Sequence, residues 1–407
     1  MSFESASAGA ALPTSPSFVS LYSGAGGLDI GFSLDGFRPA FANDIDADAV
    51  ETYNRLFKRM ADELSHLDTA HRAVAGDIRS IDPLPGPGSA EVVVGGPPCQ
   101  GFSVAGRMDP NDPRSRHVWD FLGVVRRVQP RAFVMENVKA LAVNRRWAGL
   151  LDQLRQAAEQ LGYTTQLYVL NASHFGVPQG RQRMFLVGLE RGLTHHAPAA
   201  TSEADPPTLA RVLSSLPPWG EPGNDTVCTA KVTPAKKPVL RRSPFAGMLF
   251  NGQGRPMNLN APAPTLPATM GGNRTPIIDQ HQLDGSSACW VISYHEHLMS
   301  GGEPYTSAPD RLRRLTVEEA AAIQTFPPEM DWVGPQSAKY RQIGNAVPPL
   351  LGVAVAKAVR KSLGHSPWTQ TPPRVLGLST THEGDPNAVR GAERGRPQMG
   401  TTTSAVG

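Results

Sequence analysis

The sequence predicts an α/β protein, a Rossmann-like sheet with helices on both faces joined to a smaller loop-rich unit. Three observations carry this. Short apolar, β-branched runs alternate with helical stretches through the first half of the chain, as in βα units and mainly parallel sheets. The first run, Phe18 to Tyr22, is followed at once by Ser23-Gly24-Ala25-Gly26-Gly27 and a helix start over Leu28 to Leu34, a strand–glycine turn–helix unit of the nucleotide-binding kind. From about Gly192 the alternation stops, and Pro, Gly, Asn and Thr dominate up to about Pro309.

The bounds come next. At 407 residues and 40% hydrophobic, the chain is long for one domain and comfortable for two. No apolar run is long enough to span a bilayer. Met1 to Ser17 is rich in Ser, Ala and Pro and lacks the basic start and apolar centre of a signal peptide, so a flexible leader and a cytoplasmic protein are expected. Cys99, Cys228 and Cys289 are too few and too scattered for a disulfide framework or a zinc site, and no structural metal is expected. Net charge is only +3. Between Thr226 and Thr275, however, Lys231, Lys236, Lys237, Arg241, Arg242, Arg255 and Arg274 occur without any Asp or Glu, which suits either a solvated loop region or a phosphate-contacting surface.

The second strand, Pro39 to Asn43, ends in Asp44, 18 residues after Gly26 and about where such folds place an acid on a ribose. Asp29 stands where a dinucleotide fingerprint needs its third glycine. That disfavours a nicotinamide or flavin enzyme and suits a nucleoside-type cofactor without a pyrophosphate. Gly76-Asp77-Ile78 forms a turn whose acid could meet an adenine amino group or equally cap a helix.

The central stretch is Glu91 to Ser103, where an apolar run ends in Gly95-Gly96 and Pro97-Pro98 precede Cys99. A free cysteine is often a packing residue. Here glycines and prolines fix one thiol at a strand terminus, where α/β proteins bind ligands, so a nucleophile is expected. A free thiol titrates near ~8.5, and neighbours must activate it. His117 to Gln129 has helical spacing, and Arg131 to Val138 is a buried strand that carries Glu136 to the same sheet edge as the cysteine. Arg145 to Leu161 reads as a helix, with strands at Tyr163 to Leu170 and Met184 to Leu189. Between them, Gln179, Arg181 and Arg183 alternate and would share one face of an extended strand.

In the loop-rich part only short apolar runs stand out, Gly247 to Phe250 and Trp290 to Ser293. A helix follows Arg314-Leu315-Thr316, with Thr316 as N-cap and Glu319 completing a capping box. Tyr340 to Pro349 leads into a last apolar helix, Leu350 to Leu363, and Gly364 to Gly407 has the composition of a disordered tail.

These pieces, in this order, resemble the DNA (cytosine-5)-methyltransferases of bacterial restriction-modification systems. The resemblance rests on Tyr22 to Gly27, Gly96 to Ser103, Glu136-Asn137-Val138, Gln179 to Arg183, Arg314-Leu315-Thr316 and Gly344 to Pro348, which frame nearly everything from Phe18 to Leu363. Two departures are small: the family usually has Phe where Tyr22 stands and often Asp where Ser20 stands.

The resemblance implies an S-adenosylmethionine-dependent methyltransferase sheet and methylation of carbon 5 of a flipped-out cytosine through a Cys99 adduct at carbon 6. Glu136 would meet ring N3, with Arg181 and Arg183 orienting the base and the cysteine loop. S-adenosylmethionine would be held by Tyr22, Ser23, Gly24, Gly26, Gly27, Asp44, Ile45, Asp77, Ile78, Pro98, Asn345 and Val347. The implied catalytic domain comprises residues 18–191 and 340–363, and residues 192–339 form the target-recognition domain. DNA contacts are expected from Gln100, Ser103, Arg107 and Gln179 and from the seven basic residues between Thr226 and Thr275. Duplex DNA is the expected partner of a monomer that needs no membrane, alongside a cognate restriction endonuclease acting at the same site. Two alternatives stay open, a transfer-RNA cytosine-5 methyltransferase and a catalytically silent DNA-binding regulator; the intact Cys99, Glu136, Arg181 and Arg183 speak against the second.

Overall fold

The computed structural model describes residues 15–98 and 116–369. The first half contains β1 (Ser17–Leu21), α1 (Gly27–Leu34), β2 (Arg38–Asp44), α2 (Ala47–Glu63), β3 (Val74–Ala75), β4 (Val92–Gly95), α3 (His117–Val128), β5 (Ala132–Val138), α4 (Lys139–Val143), α5 (Ala148–Gln160) and β6 (Tyr163–Asn171). Then come β7 (Gln179–Gly180), β8 (Gln182–Glu190), α6 (Leu209–Leu213), β9 (Pro234–Val239), β10 (Met248–Phe250) and β11 (Ala263–Pro264). The chain continues through β12 (Ile277–Asp279), α7 (Gln280–Leu283), α8 (Trp290–Met299), β13 (Leu312–Arg314), α9 (Val317–Ile323), α10 (Gln336–Asn345) and α11 (Pro349–Ser362).

Seven strands form one sheet in the order β3-β2-β1-β4-β5-β8-β6. All neighbours are parallel except β8, which runs antiparallel to both β5 and β6. Strand order reverses between β1 and β4, and the register pairs Leu21 with Gly95. The glycine turn and the Gly96-Pro97-Pro98 segment therefore leave the sheet side by side, at the edge where open α/β sheets bind ligands.

Alternation along the strands builds two cores. Val93, Phe133 and Met135 point to the face covered by α3 and α5, while Val92, Val94, Ala132 and Val134 point to the face covered by α1 and α11. On the second face the helices cross where a Cβ on Gly31 would lie 2.4 Å from the carbonyl carbon of Gly352. Only glycine permits that approach, and it brings α11 back beside β1.

The loop-rich part is tied to the sheet. Leu209, Leu213, Met257, Leu315, Ile323 and Tyr340 share one core with Tyr53, Leu56, Phe57 and Met60 of α2. The expected boundary between 339 and 340 falls inside α10, and the hydrophobic core does not divide there. A second core joins Leu249, Ile277, Tyr294 and Leu312. The apolar run at Trp290 opens a ten-residue helix, α8, in a region expected to hold short strands and loops. Trp368, in the stretch whose composition suggests a disordered tail, packs on His66 and on the Arg360 guanidinium, so ordered chain extends past Leu363. Among the described residues no helix is long and apolar enough to cross a membrane.

Candidate active site

The turn after β1 is held from beneath. Tyr22, Gly24 and Gly26 have φ of 55°, 55° and 85°, left-handed values that two of the three meet with glycine. Asp44 Oδ2 accepts the Gly24 N–H at 2.8 Å, and Oδ1 accepts the Asp46 N–H at 2.8 Å. Ser23 donates from its N–H and its hydroxyl to the Asn43 carbonyl, at 2.9 and 3.2 Å. A Cβ on Gly27 would lie 2.2 Å from the Val347 carbonyl oxygen, so the chain after α10 closes over the helix start.

The outer side of this turn is open. Among the described residues a Cβ on Gly24 would meet nothing within 4 Å, and Ile45, next to Asp44, is 72% exposed. An apolar side chain that exposed, beside a carboxylate at a strand end and an open glycine turn, fits a nucleoside's base and ribose. Asp77 sits on the same edge, paired with Arg79, which holds its carboxyl down at about 2. Pro98 is half-buried and Asn345 is exposed at the end of α10. The side chains of Ile78 and Val347, expected at the adenosyl group, are buried in core clusters rather than directed to the open side of the turn.

At the end of β5 stands Glu136, 8% exposed. Burial pushes its carboxyl up, and the nearby Arg183 and Arg181 guanidinium groups only partly offset this. Arg183 Nε is 2.9 Å from Glu136 Oε1. The neighbouring Asn137 donates from Nδ2 to the Pro97 carbonyl at 3.1 Å, and a Cβ on Gly96 would come within 3.0 Å of Glu136 Oε2. The prolines that precede Cys99 are thereby fixed against the glutamate. Cys99 itself, with Gln100, Ser103 and Arg107, lies outside the described residues.

The segment expected to present Gln179, Arg181 and Arg183 on one face breaks at Arg181, between β7 and β8. Its three side chains serve different partners. Gln179 is fully buried, donating to Gln324 Oε1 at 3.1 Å and accepting the Leu266 N–H at 3.3 Å. Its expected contact with DNA is corrected: burial removes it from any duplex, and it joins β7 to the loop-rich part. Arg181, also fully buried, donates to the Gly344 and Asn345 carbonyls at 3.0 and 3.3 Å. Arg183 reaches Glu136 directly.

Lys231, Lys236, Lys237, Arg241, Arg242, Arg255 and Arg274 are all exposed. Lys236 and Lys237 lie on β9, which pairs with β10 as an antiparallel ribbon, and Arg241 and Arg242 lie in its connection. Arg314 organises this surface: buried at 1% exposure, it donates to the carbonyls of Ala230, Thr275 and Lys231. Its role was not read from the sequence, where its surroundings suggested only a motif.

Two further supports escaped the sequence reading. Ser20 donates to Asp29 Oδ1 at 2.7 Å beneath the glycine turn, and burial pushes Asp29 up to about 7. The Tyr22 hydroxyl lies 3.2 Å from His117 Nδ1, which is 3.1 Å from Asp120 Oδ2. The hydroxyl of Tyr22 and the unusual acid at position 29 were the available signals.

Comparison with known proteins fits this geometry. The family model described as C-5 cytosine-specific DNA methylase matches residues 17–361. The chain is 31% identical over 352 residues to the type II methyltransferase M1.HphI of Haemophilus parahaemolyticus, covering 84% of this chain and 86% of that protein. It is 30% identical over 387 residues to M.SacI of Streptomyces achromogenes, covering 85% and 93%. Among solved structures, the S. pombe Dnmt2 methyltransferase has a TM-score of 0.57 at 16% identity, covering 85% of this chain and 99% of that one, a likeness of fold. With an open nucleoside-sized turn beside a buried glutamate–arginine pair, and this match over most of its length, the chain belongs to the C-5 cytosine-specific DNA methylase family.

Proposed function

We propose that this DNA cytosine methyltransferase methylates carbon 5 of cytosine within one short duplex sequence and protects that sequence from a companion restriction endonuclease. The observation that carries the reading is the Glu136–Arg183 pair, packed against the Pro97-Pro98 segment and one strand away from the open glycine turn.

Carbon 5 of cytosine is a poor nucleophile. The Cys99 thiolate adds to carbon 6, the displaced electron pair moves through the ring to N3, which takes a proton from Glu136, and the new C4=C5 double bond makes carbon 5 the nucleophilic end of an enamine. Burial favours the protonated Glu136 that this step consumes, and Arg183 orients it. S-adenosylmethionine, when bound, supplies the methyl group at carbon 5. Loss of the carbon 5 proton to a base then expels Cys99 as thiolate, and N3 returns its proton to Glu136. Tyr22, Gly24, Asp44 and Ile45 hold the adenosyl part, and Asn345 and Pro98 flank the methionine part. A stacked cytosine is out of reach, so the base leaves the duplex at a cost of a few kcal/mol.

The exposed basic ribbon around Lys236 to Arg242, with Lys231, Arg255 and Arg274, is the surface for the duplex, its cations on phosphates and its loop side chains in the major groove. The protein acts as a monomer in the cytoplasm.

The test is base-resolution methylation sequencing of DNA from a methylation-free bacterial host expressing the protein, beside the Cys99→Ala variant. One short methylated motif that vanishes in the variant supports substrate, nucleophile and recognition together. Unmodified DNA from both hosts overturns the reading.

A further inference from the structure

We infer that the elbow formed by α4 and the turn after it is a second phosphate-binding ledge, gripping the duplex beside the active site on the sheet side, away from the basic ribbon. This rests on the proposal that the substrate is duplex DNA. Lys139 follows the Glu136-Asn137-Val138 run directly, and its Nζ is 2.8 Å from Gln182 Oε1, next to Arg183. The ledge is therefore continuous with the catalytic edge. Four residues on, Val143 is 59% exposed, and Arg145 and Arg146 after it are both exposed. No acid occurs between Val138 and Asp152.

The elbow is built to present these charges. Asn144 caps the turn, its Oδ1 accepting the Arg146 N–H at 3.0 Å, while its carbonyl accepts the Trp147 N–H at 2.9 Å. Trp147 is 2% exposed and anchors the turn in the core, with the Arg146 guanidinium 6.0 Å from its ring. A rigid basic tip around one exposed apolar side chain suits a sugar–phosphate backbone, where cations meet phosphates and a methyl-bearing side chain meets sugars.

The chain supplies its own control. Arg126 and Arg127 form an equally exposed adjacent pair at the end of α3, just before β5 begins, at the opposite edge of the sheet from Glu136. Duplex binding is measured by fluorescence anisotropy with a short labelled duplex across a salt series. The proteins compared are the full chain, Arg145→Ala/Arg146→Ala, Arg145→Lys/Arg146→Lys and Arg126→Ala/Arg127→Ala. The first double variant should weaken binding uniformly across sequences and flatten the slope of log affinity against log salt by nearly 2, about 0.9 for each phosphate lost. The lysine pair should restore the slope and the control pair should leave it unchanged. If the alanine pair binds like the parent, or the control pair flattens the slope as much, or lysines fail to restore it, the ledge is wrong while the DNA reading stands. If the parent chain binds no duplex, both fall.

Discussion

Arg183 and Glu136 meet in a nearly dry pair, Nε 2.9 Å from Oε1, at the mouth of the sheet. A buried pair returns little stability beyond its own desolvation. The pair keeps a carboxyl available for protonation yet oriented. Since burial raises the Glu136 pKa, the protonated fraction persists to higher pH than for a free glutamate, and the acid-dependent limb of the rate profile shifts upward with it.

Glu136→Gln preserves the size and can still donate a hydrogen bond, but has no proton to give. Single-turnover methyl transfer should fall by about 10²–10⁴ with duplex affinity close to the parent's. A full rate in this variant would remove Glu136 from the chemistry.

Asp29 predicts a pH effect on stability. Its folded value, about 7, lies above the ordinary value near 3.8, because burial disfavours the charge. The folded state holds this proton more tightly than the unfolded one. Its contribution is therefore fully present below about pH 4 and lost as pH rises through 7. Asp29→Asn keeps an acceptor for the Ser20 hydroxyl and cannot ionise. Relative to the parent, it should gain roughly 4 kcal/mol at pH 8 compared with pH 4, read from denaturant titrations at both values. Parallel pH curves for the two proteins would show that Asp29 is not the group responsible.

The two sides of the molecule differ in how much sequence reveals. β1, β2, β4, β5, β6 and β8 and the helices α1, α3, α5 and α11 were legible because short continuous apolar runs and period-3.6 apolar patterns report burial directly, and the runs are continuous because the strands are buried on both faces, as Val92 to Val94 are. Thr316 and Glu319 form the expected capping box, a local signal with a local cause. Glu136 was legible for the same reason, carried to the edge by an apolar strand. Gln179 and Arg181 were not, because polar residues in an arginine-rich segment look exposed, and their burial depends on partners 145 and 163 residues away. The helix α8 was missed because it stands among turn-forming residues and packs through contacts distant in sequence.

The crossing of α1 on α11 allows no Cβ at Gly31. Gly31→Ala should force the helices apart and lower stability by about 1–3 kcal/mol, in the range of overpacked core sites. Because α11 carries the chain that reaches back over the glycine turn, cofactor affinity should fall as well. Thermal melting with and without S-adenosylmethionine checks both. An unchanged melting temperature would mean that the helices slide to accommodate the methyl group.

Arg314 gives the sharpest separation between the two halves of the function. Its guanidinium donates to Ala230 at 2.9 Å, to Thr275 at 2.6 Å and to Lys231 at 3.2 Å, fastening both ends of the basic stretch to one buried fork. Burial lowers its pKa, yet an arginine keeps its charge at any physiological pH. A lysine carries one point charge and cannot reach three carbonyls in a plane, so Arg314→Lys leaves at least one buried acceptor unmatched, at about 1–3 kcal/mol. All three carbonyls belong to the loop-rich part, and none is on the glycine turn or the strand that carries Glu136. Calorimetric binding of S-adenosylmethionine should therefore be unchanged in the variant, while duplex affinity falls roughly tenfold, the equivalent of about 1.4 kcal/mol, and discrimination between sequences weakens. Equal losses of cofactor and duplex binding would instead make Arg314 a general stabiliser of the fold, with no special hold on the basic surface.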